Sequence, residues 1–248
     1  MCTVSYLPLA KGEYLLTASR DEKTARPSAR FPVKATLNGQ AVYFPQDPQG
    51  HGSWIATAHE PGFTPTTVCL LNGAFQAHTA HPPYRHSRGL VVLEVFRYAS
   101  PGEWLAGFDF ENLEPFTLLI LQPGQLWEVR WDGKTAHSRQ PDPAQPAIWS
   151  SSTLYTPSVV ARREAWFQTW IRQQTQFTVA GIRQFHKQAG RDDPQNAVLV
   201  NRGDGMQTLS LTTVRHRPDN TEIFYEDLTT SRFLYQQLTP SHELRYAH

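Results

Sequence analysis

Cys2 offers the richest chemistry of any residue in the chain. Aminopeptidases remove an initiator methionine when residue 2 is as small as cysteine. The exposed residue then carries a thiol and an α-amine together, nucleophile and base in one place. The amine, with an unperturbed pKa of ~8, can take the thiol proton directly or through water. Arg20-Asp21 is the second feature: a guanidinium near a thiol favours thiolate, and a carboxylate can orient the ammonium or polarise the amine. The bland alternative is that Met-Cys-Thr merely opens an edge strand. His78, His81 and His86 share a stretch with Tyr84 and Arg85, and such spacings can close on a metal. No cysteine or carboxylate lies among them, so a solvated loop is the simpler reading.

Other conspicuous residues read as structure. Trp166 and Trp170 are four apart, the core stripe of a helix rather than a ligand box. Cys69, within Val68-Cys69-Leu70-Leu71, reads as a small buried core residue. Arg162-Arg163-Glu164 reads as the wet face of the Trp166 helix, and Tyr225-Glu226-Asp227 as the close of a strand.

Elements must bring Cys2 and Arg20-Asp21 together. Thr3 to Leu7 and Tyr14 to Ser19 are rich in strand formers around a polar, glycine-containing turn, so they predict a β-hairpin. A turn near residue 10 or 11 sets Cys2 opposite Ser19 to within a residue or two, with Arg20 and Asp21 emerging at the same end. Residues 22–40, broken by Pro27, Pro32 and Gly39, predict a surface loop. Short strands are expected at 41–44, 53–57 and 67–72, with loops at 61–65 and 78–86. Residues 89–98 predict a short helix, and Pro101 opens another through Trp104 and Phe108. Residues 116–121, 125–131 and 134–137 form a meander turning at Pro123-Gly124 and Asp132-Gly133. A loop at 138–146 joins halves of one sheet system. The clearest helix follows Thr156-Pro157, with Val159, Arg163, Trp166, Phe167, Trp170 and Ile171 spaced helically. A second helix is expected at 177–186, then strands at 197–200, 208–214 and 222–225.

Strands at both ends, helices between and hairpin connections predict an α+β fold of antiparallel sheets, read as one domain over residues 1–248. Hydrophobic residues make up 40% of the 248, enough to bury a sizeable core. Lys+Arg 23 against Asp+Glu 22 gives net charge +1, no footprint for nucleic acid or an anionic membrane. The longest clean apolar run, Phe116 to Leu121, falls far short of the ~20 residues of a membrane span. No basic stretch leading into an apolar one opens the chain, and two cysteines make no disulfide framework. A cytoplasmic protein is the expectation.

Met1-Cys2-Thr3, then Leu16-Thr17-Ala18-Ser19-Arg20-Asp21-Glu22 and Arg26-Pro27, resembles the opening of the transport-and-Golgi-organisation family, also called NRDE after its Asn-Arg-Asp-Glu motif. Gly52-Ser53-Trp54-Ile55, Leu71-Asn72, Arg88-Gly89 and Ser150 to Pro157 resemble later family segments in the right order. That family is similar in turn to cysteine-type N-terminal-nucleophile hydrolases such as choloylglycine hydrolase and penicillin V acylase. The resemblance implies a four-layer αββα sandwich and hydrolysis of a linear amide, for instance an N-acyl compound, without metal or organic cofactor. It implies Cys2 as nucleophile, Arg20 and Asp21 as its attendants, and Asn72 as oxyanion donor, a contribution worth ~3 kcal/mol. Ser151 falls where the family has a second asparagine, Ser19 where it has the motif asparagine, and Gln207 where it has an arginine. Family members are also linked to haem trafficking and lipid homeostasis, which implies a non-catalytic carrier. Cys2, Tyr or His side chains would then ligate haem iron, or an apolar cleft would hold an acyl chain. No Cys-x-x-Cys-His attachment motif is present.

Overall fold

The computed structural model describes residues 3–238. Two antiparallel sheets form the molecule. The first runs β10-β1-β2-β11-β12-β13 and the second β3-β4-β5-β6-β7-β8-β9. In the first, β1 (Thr3–Pro8) and β2 (Tyr14–Lys23) make the predicted hairpin. β10 (Ala147–Ser150) pairs outside β1. On the other side follow β11 (Met206–His216), β12 (Thr221–Asp227) and β13 (Arg232–Leu238). The second is a sequential meander of β3 (Arg30–Leu37), β4 (Gln40–Gln46), β5 (Ile55–Ala58), β6 (Thr66–Asn72), β7 (Phe116–Gln122), β8 (Gln125–Trp131) and β9 (Ala136–Arg139). Its turns obey local chemistry: Gly124 at φ 72° follows Pro123, and Gly133 at φ 98° follows Asp132.

Strand alternation sorts the apolar residues into three layers of core. Val4, Tyr6, Leu16 and Ala18 of the first sheet meet Ile55, Cys69, Leu71, Leu119 and Leu121 of the second. The opposite face of the second sheet, with Val42, Ala56, Val68, Leu70 and Leu118, is covered by α1 (Arg88–Glu94) and α2 (Pro101–Gly107) through Val91, Val92 and Trp104. The opposite face of the first, with Leu7 and Leu15, is covered by α3 (Pro157–Arg172) and α4 (Val179–Gln188) through Phe167, Ile182 and Phe185. Burying one such side chain fully contributes ~1.5–3 kcal/mol.

Several expectations change. The hairpin register falls within a residue of the one expected, pairing Thr3 with Ser19; Cys2 itself lies outside the described residues. Residues 30–37, expected as loop, form an edge strand, and Pro32 falls where the β3–β4 register shifts, a place that needs no ladder donor. Residues 197–200 form no strand: Asn201 and Gln207 make an isolated bridge, while Ala197, Val198 and Val200 are buried. The strands β10 and β13 were not anticipated. Arg163 is not on a wet face; it is fully buried.

Candidate functional site

Thr3 sits between two neighbours, paired with Ser150 of β10 on one side and Ser19 of β2 on the other. From Ser19 onward the two-residue period of β2 sends Arg20 and Asp21 to opposite faces. Arg20 continues the inner face of Leu16 and Ala18, with its guanidinium carbon 4.9 Å from the centre of the Trp54 ring. It is 3% exposed, and among the described residues only its Nη2 is hydrogen-bonded, to Asp47 Oδ2 at 3.2 Å. Asp21, also 3% exposed, points to the helix side and accepts from the Tyr155 hydroxyl at 2.5 Å and from Thr208 Oγ1 at 2.6 Å. The two attendants expected from the sequence therefore share one end of the hairpin but serve different sides of it.

Asn72 ends β6, on the facing sheet. Together with Arg20, Arg26, Asp47, Trp54, Arg88 and Glu114 its side chain lines a cavity of about 440 Å³. Its side-chain amide makes no hydrogen bond with the described residues. The cavity walls are ion pairs: Arg26 with Asp47 at 2.8 Å, Arg88 with Glu114 at 3.0 Å. Burial pushes the Asp47 carboxyl up, but the N–H groups of Gly50 and Gln49 and the guanidiniums of Arg26 and Arg20 outweigh it and hold it below the usual carboxylate range. Ser151 donates its single proton to the Asn72 backbone carbonyl at 2.7 Å and sits 2.9 Å from Thr153 Oγ1. In this arrangement Ser151 anchors Asn72. On the other side of Ser151 lies a groove of about 570 Å³, lined by Phe75, Trp149, Leu154, Tyr155 and Val160.

Two residues, one that pattern reasoning passed over and one that it placed on a wet face, complete the surroundings. His186 on α4 is 1% exposed, with Nε2 2.7 Å from Ser5 Oγ and Nδ1 2.8 Å from Ser19 Oγ. Burial, then the cations Arg183 and Arg163, push its pKa down to about 3, so the ring is neutral and one serine donates while the other accepts. Its position four residues after Ile182, on the apolar stripe of an amphipathic helix, was the available signal. Arg163 is the other. Its Nη1 donates to Thr3 Oγ1 at 2.6 Å, its Nε to the Asn196 carbonyl at 3.0 Å and its Nη2 to the Ala197 carbonyl.

The remaining candidates scatter. Gln207 donates to Asn201 Oδ1 at 2.9 Å. In the histidine cluster, His78 meets Glu114 at 3.2 Å while His86 contacts the Ser87 carbonyl at 2.9 Å. Among the described residues no three His, Cys, Asp or Glu side chains group as metal ligands. No helix among them is long and apolar enough to cross a membrane. Cys69 is buried, and burial drives its thiol far above the ordinary range.

These features define an α+β protein with stacked antiparallel sheets and a polar cavity where its central hairpin opens. A model of the family described as Transport and Golgi organisation 2 matches residues 1–224, and the chain belongs to that family. Nothing among curated proteins matches it.

Proposed function

We propose that the chain is an N-terminal-nucleophile-type hydrolase of linear amides acting through Cys2. The observation that carries this reading is convergence: Arg20 and Asn72 line one cavity, Ser151 bonds the Asn72 carbonyl, and Thr3, the residue bonded to Cys2, begins β1 paired with Ser19, the neighbour of Arg20. The helix–sheet–sheet–helix order of the cores supports an αββα sandwich of that class. In the reaction the Cys2 sulfur attacks the amide carbonyl and the thiol proton passes through the α-amine to the leaving nitrogen. The C–N bond breaks, and the acyl group stays as a thioester. Water then attacks the thioester, releasing the carboxylic acid and returning the proton to sulfur. The Asn72 amide faces the cavity as oxyanion donor. Arg20, whose Nε and Nη1 make no hydrogen bond with the described residues, favours thiolate and oxyanion alike.

Intact mass before and after a thiol-reactive acyl probe tests the reading. The expected result is a chain lacking Met1 that gains one adduct, mapped to Cys2 and not to buried Cys69. A retained methionine with no preference for Cys2 overturns it.

A second reading rests on the apolar groove beside Ser151: a carrier that holds an acyl chain or haem without chemistry. A saturable Soret shift with haemin, or saturable binding of a fluorescent fatty acid lost in Val160→Asp, supports it. Absence of both removes it.

A further inference from the structure

We propose that Arg163 is a positioning residue for the N-terminal nucleophile, holding the first strand so that Cys2 is presented in one geometry. This rests on the cysteine reading above. An arginine on a helix ordinarily keeps its charge in water, because burying an unpaired cation costs several kcal/mol. Arg163 is fully buried, and each of its hydrogen bonds goes to chain outside its own helix. Thr3 Oγ1 fixes one arm; the Asn196 and Ala197 carbonyls fix the other two atoms. The guanidinium carbon also lies 3.6 Å from the centre of the Tyr155 ring, with Arg202 5.1 Å away from the same ring. The hydroxyl of that ring is the one that reaches Asp21. One side chain thus ties the residue next to Cys2 to the carboxylate that follows Arg20, through a ring it packs upon.

A core filler would serve stability with Leu or Met, which need no partners. A fixed fork of donors, one arm on the Thr3 hydroxyl and the rest on the Asn196 and Ala197 carbonyls, is instead a device for orientation. The charge adds to it. Arg20 is paired with Asp47 at 3.2 Å and lies 3.9 Å from Glu22, and Asp21 faces this end of the hairpin, so the cations that favour a thiolate here are Arg163 and Arg202, which form no ion pair among the described residues.

The rate of Cys2 alkylation as a function of pH, in the full chain, reads this role. Arg163→Gln is expected to raise the midpoint of the profile by about one unit, slowing the reaction near neutrality up to about tenfold. Because Arg163→Gln can also loosen the fold, Thr3→Val is the milder probe: it keeps the shape, removes the hydroxyl and shifts the midpoint the same way by a smaller amount. Thr3→Ser restores the wild-type profile. A wild-type profile that titrates at Cys2 and stays unmoved in both Arg163→Gln and Thr3→Val overturns the positioning role alone. A wild-type Cys2 no more reactive than Cys69 overturns the cysteine reading and this role with it.

Discussion

Asn72 and Ser151 divide their work by proton count. The Ser151 hydroxyl has one proton and gives it to the Asn72 carbonyl, whereas the Asn72 amide has two and spends neither on the described residues. If the chain is the hydrolase proposed above, Asn72→Ala is expected to slow thioester formation from an activated amide by ~10²–10³-fold, the usual effect of losing one oxyanion donor. Its melting temperature should barely move, since the lost amide makes no hydrogen bond with the described residues. Ser151→Ala should do the reverse. It strips the Asn72 carbonyl of a partner and costs ~1–3 kcal/mol in urea unfolding, with a smaller loss of rate. If Ser151→Ala proves the slower enzyme while Asn72→Ala is unaffected, the assignment of donor and anchor is inverted. Neither role was visible in residue types alone, because a serine hydroxyl reads the same whether its proton faces a substrate or a carbonyl.

Elements hold these residues through a few close approaches. Gly52, just before β5, lies against the start of α1 so tightly that a Cβ would sit 2.2 Å from the Gly89 carbonyl carbon. Gly52→Ala must push α1 off the sheet. It is expected to destabilise by ~1–3 kcal/mol and to open the cavity that both glycines line, measurable as a lower urea midpoint. Elements of this kind were legible where one pattern ruled. β6 and the β7–β8 hairpin are dense in Val, Leu and Ile between unmistakable turns, and α3 starts at a proline and keeps its apolar period. The edge strands β3, β10 and β13 were not, since an edge strand touches one neighbour and tolerates mixed polarity and proline. Arg163 was misread for a related reason. Helical period places it on the Val159–Phe167 face, but its charge argued for water, and only tertiary partners far along the chain reverse that argument.

Across the whole molecule the two sheets are joined by polar as well as apolar contacts. His59, just after β5, and His216, ending β11, reach the same Thr221 hydroxyl at 3.0 and 3.1 Å, and their rings are 5.5 Å apart. Burial lowers the pKa of both; for His216, with His59 as a further cause, it falls to about 4. The unfolded chain takes up protons near 6.5 while the folded one does not, so stability is full above that pH and declines as pH falls toward 4. His186 extends the decline toward 3. Urea midpoints at pH 7 and 4.5 should differ in wild type and differ less in His216→Phe; equal differences would exclude the pair as the acid-sensitive element. The sheets also differ in how far apart in the chain their strands lie. The second is a meander of consecutive strands, each closing on the one before it. The first joins the opening hairpin to β11, so that Thr17 meets Thr213 across 196 positions of sequence. On a ribosome the meander can form as it emerges, while β2 waits with one edge unpaired until nearly the whole chain has been made. Thr208, which donates to Asp21, arrives in that late segment. The end of the hairpin that carries Arg20 and Asp21 is thus made early and completed late, when β11 arrives beside it.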